Sequence, residues 1–224
     1  DGNNTAIGFE AGYAMTTGKF NTAIGGSSMG VGVVTADHCV AIGYKAGEAL
    51  TSGNENTLIG AFTGDAITTG TSNTALGYNA LSTEDGHGKN TAIGRAALNA
   101  LNAGADGFNV AVGYNAAVDM TTGINNTVIG ALAGDALTTC SGSVAVGQNA
   151  LGSTTVGNDN IAIGRDALTV NVNGSASVAI GTLALQDQAP TGTGNMYNIA
   201  IGHHAGRDIS TSVNNTIIGG LAGD

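Results

Sequence analysis

One short pattern of polar and apolar positions recurs along the chain. It begins as "NTAIGFEAG" at Asn4–Gly12 and returns as "NTLIGAFTG" from Asn56 and "NTALGYNAL" from Asn73. Nine of the twelve intervals between successive copies are 17 residues, and such a short fixed period predicts a stack of similar coils. Each copy has one glycine at its fifth position: Gly8, Gly25, Gly43, Gly60, Gly77, Gly94, Gly113, Gly130, Gly147, Gly164, Gly181, Gly202 and Gly219.

Each copy divides into two parts. In the first, a β-branched residue follows the asparagine position, and Ile, Leu or Val precedes the glycine. These two positions share one face of a strand and form an apolar stripe. The second part, as in "AMTTG" and "AITTG", predicts another short strand with a Thr-rich outer edge. Gly, Asn, Asp and Ser at the junctions suit tight corners.

Two strands and two turns per copy predict an all-β fold, a parallel β-solenoid of about 13 coils of about 17 residues. Residues 1–224 then form one repetitive segment, with equivalent residues stacked about 4.8 Å apart, asparagine upon asparagine. A β-helix of hexapeptides requires aliphatic residues every six positions. Six and twelve positions after Ile42 stand Glu48 and Asn54, so the two-strand roll is preferred.

Three copies exchange large and small residues. They carry a larger aliphatic residue in place of the Ala before the Ile, and a small residue directly after the glycine. Such compensation indicates side chains that share limited volume on one face, and we expect a neighbouring subunit to cover that face. The candidate subunit-interface residues are Leu58, Phe62, Val128, Leu132, Ile217 and Leu221.

Composition and charge restrict the possible partners. The chain has 38 Gly, one Pro and no Trp, which suits neither a conventional large core nor collagen. Its net charge is −10 and its six basic residues are scattered singly, so we expect no nucleic-acid partner. No apolar run approaches the roughly 20 residues of a membrane span, so we expect no membrane insertion by this segment.

The "N-x-A-I-G-x-x-A" unit resembles the head repeat of the YadA-like trimeric autotransporter adhesins. The fuller "NTAIGYNAL" form is similar to repeats of bacterial surface fibres and phage tail fibres. The resemblance covers all thirteen copies and implies a left-handed parallel β-roll, three chains packed side by side, and a role in attachment. It further implies a place outside the cell, on a bacterial surface or a virion tail fibre. The spacing is longer here than in the adhesin heads.

Association of copies also has a physical reason. A roll of Ala, Ile and Val has an interior barely one side chain thick and buries little area against the backbone entropy of folding. We therefore expect a homotrimer. Because the pattern starts and stops within a copy, we also expect the segment to continue into a longer fibre.

The column after the repeat glycine carries the most distinctive surface chemistry. Its aromatic and cationic members predict a strip that stacks on sugars or contacts a protein receptor, or else fills the interface between rolls. We therefore expect a surface glycan or protein as the receptor. The ligand-surface candidates are Tyr44, Tyr78, Arg95, Tyr114, Arg165 and His203.

Other chemistry is sparse. Cys39 and Cys140 lie several coils apart, too far for an intrachain disulfide, which leaves buried or free thiols or interchain bridges. The histidines and the single "GNDN" turn do not make a metal site, so we expect no metal and no cofactor. No nucleophile elbow or phosphate-binding loop is present, and near-identical coils do not suit a unique pocket, so we expect no enzyme.

Three functions follow from the repeats. The leading hypothesis is a structural and adhesive fibre with many weak contacts. One alternative is an ice-binding solenoid. The β-branched column becomes Val or Ile in six of thirteen copies, which suits a buried ladder and argues partly against ice binding. The other alternative is an architectural filament that polymerises end to end.

Overall fold

The computed structural model describes residues 2–224 and confirms a parallel β-solenoid without helices in that range. The chain divides into two compact units, Asp1–Asn109 and Val110–Asp224, here called the first and second unit. Each copy of the repeat supplies one three-residue strand on "T-A-I" or its equivalent, six in the first unit and seven in the second. We call one such copy with its turns a coil.

In the first unit every strand pairs in parallel and in register with the next. Thr5 lies opposite Thr22 and Ala6 opposite Ala23, so like residues stack on like residues. The strands are β1 (Thr5–Ile7), β2 (Thr22–Ile24), β3 (Val40–Ile42), β4 (Thr57–Ile59), β5 (Thr74–Leu76) and β6 (Thr91–Ile93).

The second unit repeats this arrangement and adds a small two-stranded sheet, β11 with β13. β13 lies in the longest connection of the chain, which has 21 residues from Gly181 to Gly202. The strands of its main sheet pair in parallel and in register as before. The strands are β7 (Val110–Val112), β8 (Thr127–Ile129), β9 (Val144–Val146), β10 (Ile161–Ile163), β11 (Gly174–Ser175), β12 (Val178–Ile180), β13 (Gly194–Asn195), β14 (Ile199–Ile201) and β15 (Thr216–Ile218).

The middle residue of a strand points into its coil, and the two flanking residues point outward. In β3, for example, Ala41 is completely buried while Val40 and Ile42 are only partly covered. The β-branched ladder is therefore not buried, and the sequence interpretation of it was wrong. The space inside a coil is limited. Leu81, six residues after the strand-middle Ala75 of its coil, fills the same interior. Only a small middle residue fits beside it.

The Thr-rich side of the coil is not the regular second strand that the sequence predicted. Outside β11 and β13 it holds, among the described residues, a single isolated bridge, Met15 with Val34. Hydrogen bonds between coils replace the strand ladder. Thr51 donates both its N–H, at 2.9 Å, and its hydroxyl, at 3.0 Å, to the carbonyl of Thr68. Tight corners in left-handed backbone, such as Leu81 at φ 52°, leave too few residues for an extended strand.

The asparagine column joins neighbouring coils within each unit, as predicted. The Oδ1 of Asn56 accepts the N–H of Asn73 at 3.0 Å, and its Nδ2 donates to the carbonyl of Gly70 at 2.8 Å. In the second unit, Asn126 accepts the Ser143 N–H at 2.9 Å and donates to the Cys140 carbonyl at 2.8 Å in the same way. These buried amides are satisfied by the neighbouring coil, which fixes the register.

The glycine that follows a main-sheet strand is required both by its backbone conformation and by packing, as Gly147 illustrates. Gly147 has φ +130°, where a Cβ is strained. An added Cβ would also lie 2.6 Å from the carbonyl oxygen of Gly164 in the next coil. Backbone is stacked on backbone there, so the column is a packing requirement of the fold.

Candidate interaction surfaces

An apolar stripe runs along the outer face of the main sheet in each unit. It consists of the first and third residues of the strands, and we call it the outward stripe. In the first unit the first residue is Thr in five of six strands, and the third is Ile or Leu. Leu76 is 45% exposed.

The outward stripe of the second unit is more aliphatic. Only Thr127 and Thr216 among its seven first residues are polar. Ile129 and Ile163 are each 38% exposed, although the strands that hold them pair with a neighbour on both sides. Contiguous exposed aliphatic residues of this kind mark contact surfaces in soluble proteins.

A ladder of aromatic rings lies at the corner after the repeat glycine in the first unit. The Phe62 ring stands edge-on between two tyrosines, 5.3 Å from the Tyr44 ring at 88° and 5.9 Å from the Tyr78 ring at 80°. Both tyrosines remain about half exposed. We call these three residues the aromatic strip. Sequence reasoning placed Phe62 in a different set, because it sits one position later in its coil than the tyrosines do.

Cationic groups border the aromatic strip. The Lys45 Nζ lies 5.8 Å from the centre of the Tyr44 ring and 3.1 Å from the Glu48 carboxylate. The hydrogen bond to Glu48 holds the pKa of Lys45 above its usual value. The Arg95 guanidinium lies 5.9 Å from the centre of the Tyr78 ring. The strip therefore combines apolar ring area with donors and an acceptor at its edge.

The remaining ligand-surface candidates belong to the second unit. Tyr114 is 51% exposed. The Arg165 Nη1 pairs with its neighbour Asp166 at 2.9 Å, and the exposed His203 ring lies 4.0 Å from the ring of His204. All six candidates are exposed, and Tyr44, Tyr78 and Arg95 are the three that belong to the aromatic strip or border it.

Two of the proposed interface residues are instead part of the interior. Leu58 and Val128 are strand-middle residues and are completely covered by their own unit, so they present no surface to a second chain. Ile217 is also a strand-middle residue, but it is partly covered. Phe62 and Leu132 are half-buried, and Leu221 is 60% exposed.

The room for the larger strand-middle residues is provided within each unit. Gly47 of the preceding coil leaves room for Leu58, because a Cβ there would lie 2.9 Å from Leu58 Cδ1. Gly206 leaves the same room for Ile217, again at 2.9 Å, while the smaller Val128 follows Ala117. The larger strand-middle residue is therefore accommodated by the preceding coil of the same chain, and the small residue after the repeat glycine takes no part in this contact.

One ionisable group is buried where neighbouring coils have aliphatic residues. Glu84 is completely buried in the column that holds Ile67 and Leu101. Its carboxylate accepts the N–H of His87 at 3.2 Å and lies 3.5 Å from that histidine's Nδ1. Burial raises the pKa of Glu84, and backbone hydrogen bonds from Ala103 and His87 only partly oppose this.

Both thiols are buried and form no disulfide. Cys39 takes an asparagine position, and Cys140 takes a glycine position where its Sγ contacts the Thr155 carbonyl at 3.1 Å. Burial raises the pKa of Cys140 to about 12 and also raises that of Cys39. Thiolates are the reactive form, so neither site is reactive in the folded chain.

Within residues 2–224, no group of three or more His, Cys, Asp and Glu side chains is placed to hold a metal ion. No helix in that range has the length and apolar character needed to cross a membrane. The geometry thus defines a β-solenoid with two surfaces, the outward stripe and the aromatic strip. Comparison with protein families, curated proteins and solved structures found no match.

Proposed function

We propose that the chain is a non-enzymatic segment of an extracellular attachment fibre, of the kind carried on bacterial surfaces or phage tails. Copies of the chain associate side by side through the outward stripe, and corner residues contact the receptor. The observation that carries the proposal is the outward stripe. It places Ile, Leu and Val on the outer face of successive coils, where an isolated solenoid would be expected to carry polar residues.

The thin interior supports association. The strand-middle column is mostly Ala, so each coil buries little apolar area of its own. Covering the outward stripe with equivalent stripes of two other copies adds a second apolar layer. Three copies is the number that the resemblance to the adhesin heads implies.

Repetition supports attachment. Neighbouring coils present similar corners, so several weak contacts act together and raise the avidity above that of any single contact. This mode of binding does not require one unique pocket. The net charge of −10 keeps the surface soluble and disfavours anionic receptors.

A retention experiment tests this proposal. Beads that carry the chain at increasing density are passed over epithelial cell monolayers and over immobilised bacterial cells. Beads with an unrelated acidic β-protein are the control. We expect retention that rises steeply with density on one of the surfaces. Retention equal to the control at every density on both surfaces would contradict the proposal.

Ice binding is the second candidate, because the Thr column of the first unit lies on the outward face. Thr5 and Thr74 are exposed there, and Thr22, Thr57 and Thr91 are partly covered. A regular exposed Thr row on a flat sheet is the surface that orders water. Measurable thermal hysteresis would support this candidate, and its absence at high protein concentration would exclude it.

A further inference from the structure

The first five residues of the corner column in the first unit alternate between aromatic and small side chains. Phe9, Tyr44 and Tyr78 are separated by Gly26 and Ala61, so a ring occurs in every second coil. Neighbouring strands lie about 4.8 Å apart, which gives the rings a repeat of roughly 10 Å. The first five members of the column thus alternate with twice the period of the fold, and the sixth, Arg95, is a long cationic residue.

The small residues hold the rings in place. Ala61 leaves a gap that Phe62 fills from the next position, in left-handed backbone at φ 56°, and its ring wedges edge-on between Tyr44 and Tyr78. On the other side of Tyr44, a Cβ added to Gly26 would lie only 3.4 Å from the ring. The two tyrosines are thus fixed before any ligand arrives, while 50% and 49% of their surfaces stay exposed. Fixed aromatic rings lose little conformational entropy on binding.

Charged groups lie over the rings. The Lys45 Nζ, which is paired with Glu48, lies 5.8 Å from the centre of the Tyr44 ring, and the Arg95 guanidinium lies 5.9 Å from that of Tyr78. Apolar platforms bordered by a few donors and acceptors are typical of sites for small polar molecules. A purely apolar partner would take water away from these charges without replacing its hydrogen bonds.

We propose that the aromatic strip binds an extended neutral polysaccharide of β-1,4-linked pyranoses. The face of such a sugar carries several C–H groups, which pack against the electron-rich face of an aromatic ring. Alternate sugars of an extended β-1,4 chain present the same face. Sugars n and n+2 therefore meet Tyr44 and Tyr78, two coils apart, and the intervening sugar lies over Phe62.

The charge of the protein selects the neutral members of this class. The net charge of −10 disfavours long uronic and sialic acid polymers, even though Lys45 and Arg95 at the strip are cationic, whereas neutral glucans and chitin-type chains carry no charge to repel. The inference rests on the proposed attachment function and names the receptor chemistry of that function. The strip lies within one unit of one chain, so its binding does not depend on association of copies.

The test is calorimetric titration of the intact chain with cellohexaose and with chitohexaose. We expect one of them to bind, with affinity that increases from disaccharide to tetrasaccharide, because three sugars are needed to reach from Tyr44 to Tyr78. Tyr44→Ala and Tyr78→Ala should each weaken binding about tenfold, and Tyr78→Phe should retain it. Tyr13→Ala is the matched control, since Tyr13 is an exposed tyrosine outside the strip. Thermal melts verify that the variants fold.

Absence of binding to both hexasaccharides at millimolar concentration would overturn the inference. Binding that the tyrosine variants leave unchanged, or that is no stronger for longer chains, would also overturn it. If neither hexasaccharide binds but the beads are retained, the glycan inference alone is contradicted. If a hexasaccharide binds but the beads are not retained, the attachment function alone is contradicted.

Discussion

The Sγ of Cys39 lies 3.5 Å from the backbone nitrogen of Asn56, where an asparagine Oδ1 stands in equivalent coils. One coil later, the Oδ1 of Asn56 accepts the N–H of Asn73 at 3.0 Å. Sulfur is a weak acceptor, so the ladder of side-chain bonds between coils has one weak step. The same Sγ lies 3.2 Å from the carbonyl of Gly53, to which an asparagine would donate.

Cys39→Asn should therefore stabilise the first unit. Restoring one acceptor and one donor in a buried site should raise the free energy of unfolding by about 1 kcal/mol. Guanidinium unfolding followed by circular dichroism measures the change. Cys39→Ser is the control, because serine at the equivalent Ser143 makes a longer bond, 3.2 Å to the N–H of Asn160. An asparagine variant less stable than the wild type would contradict a weak step at Cys39 in the ladder of side-chain hydrogen bonds.

Gly147→Ala should be among the most damaging single substitutions. The added Cβ is strained at φ +130° and collides with the Gly164 carbonyl, which cannot move without displacing the next coil. We expect a loss of about 3 kcal/mol or more in thermal or chemical unfolding. The matched control is Gly192→Ala, where nothing lies within 4 Å of the added atom. Equal stability of the two variants would contradict the stacking.

Gly47 and Leu58 should behave as a coupled pair. Leu58→Ala alone should cost about 2–5 kcal/mol by opening a cavity, and Gly47→Ala alone should cost less, through its collision with Leu58. The double variant should cost less than the sum by about 1 kcal/mol or more, because the methyl group added at position 47 enters the space that Leu58 vacates. Alanine is acceptable in this backbone, since Ala117 occupies the equivalent position at φ 50°. Strict additivity in a double-mutant cycle would refute the contact.

The two thiols should not react with thiol reagents in the folded chain. Burial raises the pKa of both, that of Cys140 to about 12, so the thiolate is scarce at neutral pH. A thiol reagent at about pH 8 should modify neither cysteine in buffer and both in guanidinium. Non-reducing electrophoresis should show no covalent oligomer. Rapid native reaction, or a disulfide-linked band, would mean that the thiols are reachable.

Glu84 should make the first unit less stable as the pH rises. Burial raises its folded pKa above the unfolded value, so its contribution is fully present below the ordinary glutamate pKa and is lost as the pH rises through the raised value. Glu84→Gln removes this titration. The stability of the variant relative to the wild type should increase between about pH 4 and pH 8. A difference that stays constant across this range would contradict the raised pKa.

The repeat made the architecture predictable. The regular spacing of glycine, together with the asparagine column, predicted the parallel stack and its register, and the structure confirms both. The same pattern did not reveal which face of a three-residue strand points inward. The interior also has to hold residues such as Leu81, which lie in the turn and in left-handed backbone, so alanine takes the inner position and isoleucine the outer one.

The surfaces were only partly predictable. The sequence could select Tyr44, Tyr78 and Arg95 because they share one column. Phe62, whose ring lies between the two tyrosines, stands one position later in its coil and was therefore missed as part of this strip. Glu84 stands 17 residues after Ile67, one repeat period, so the sequence places it in an aliphatic column, but only the structure shows that its carboxyl group is buried there.

The solution mass of the chain, measured by light scattering after size exclusion, tests side-by-side association most directly. We expect the mass of three copies at micromolar concentration. We also expect a single copy for the double variant Ile129→Lys/Ile163→Lys, which charges the outward stripe, and three copies for the control Thr139→Lys, which lies on the Thr-rich side. A wild-type mass of one chain would contradict association through the stripe. A mass that keeps growing with concentration would contradict a closed assembly and favour end-to-end polymerisation.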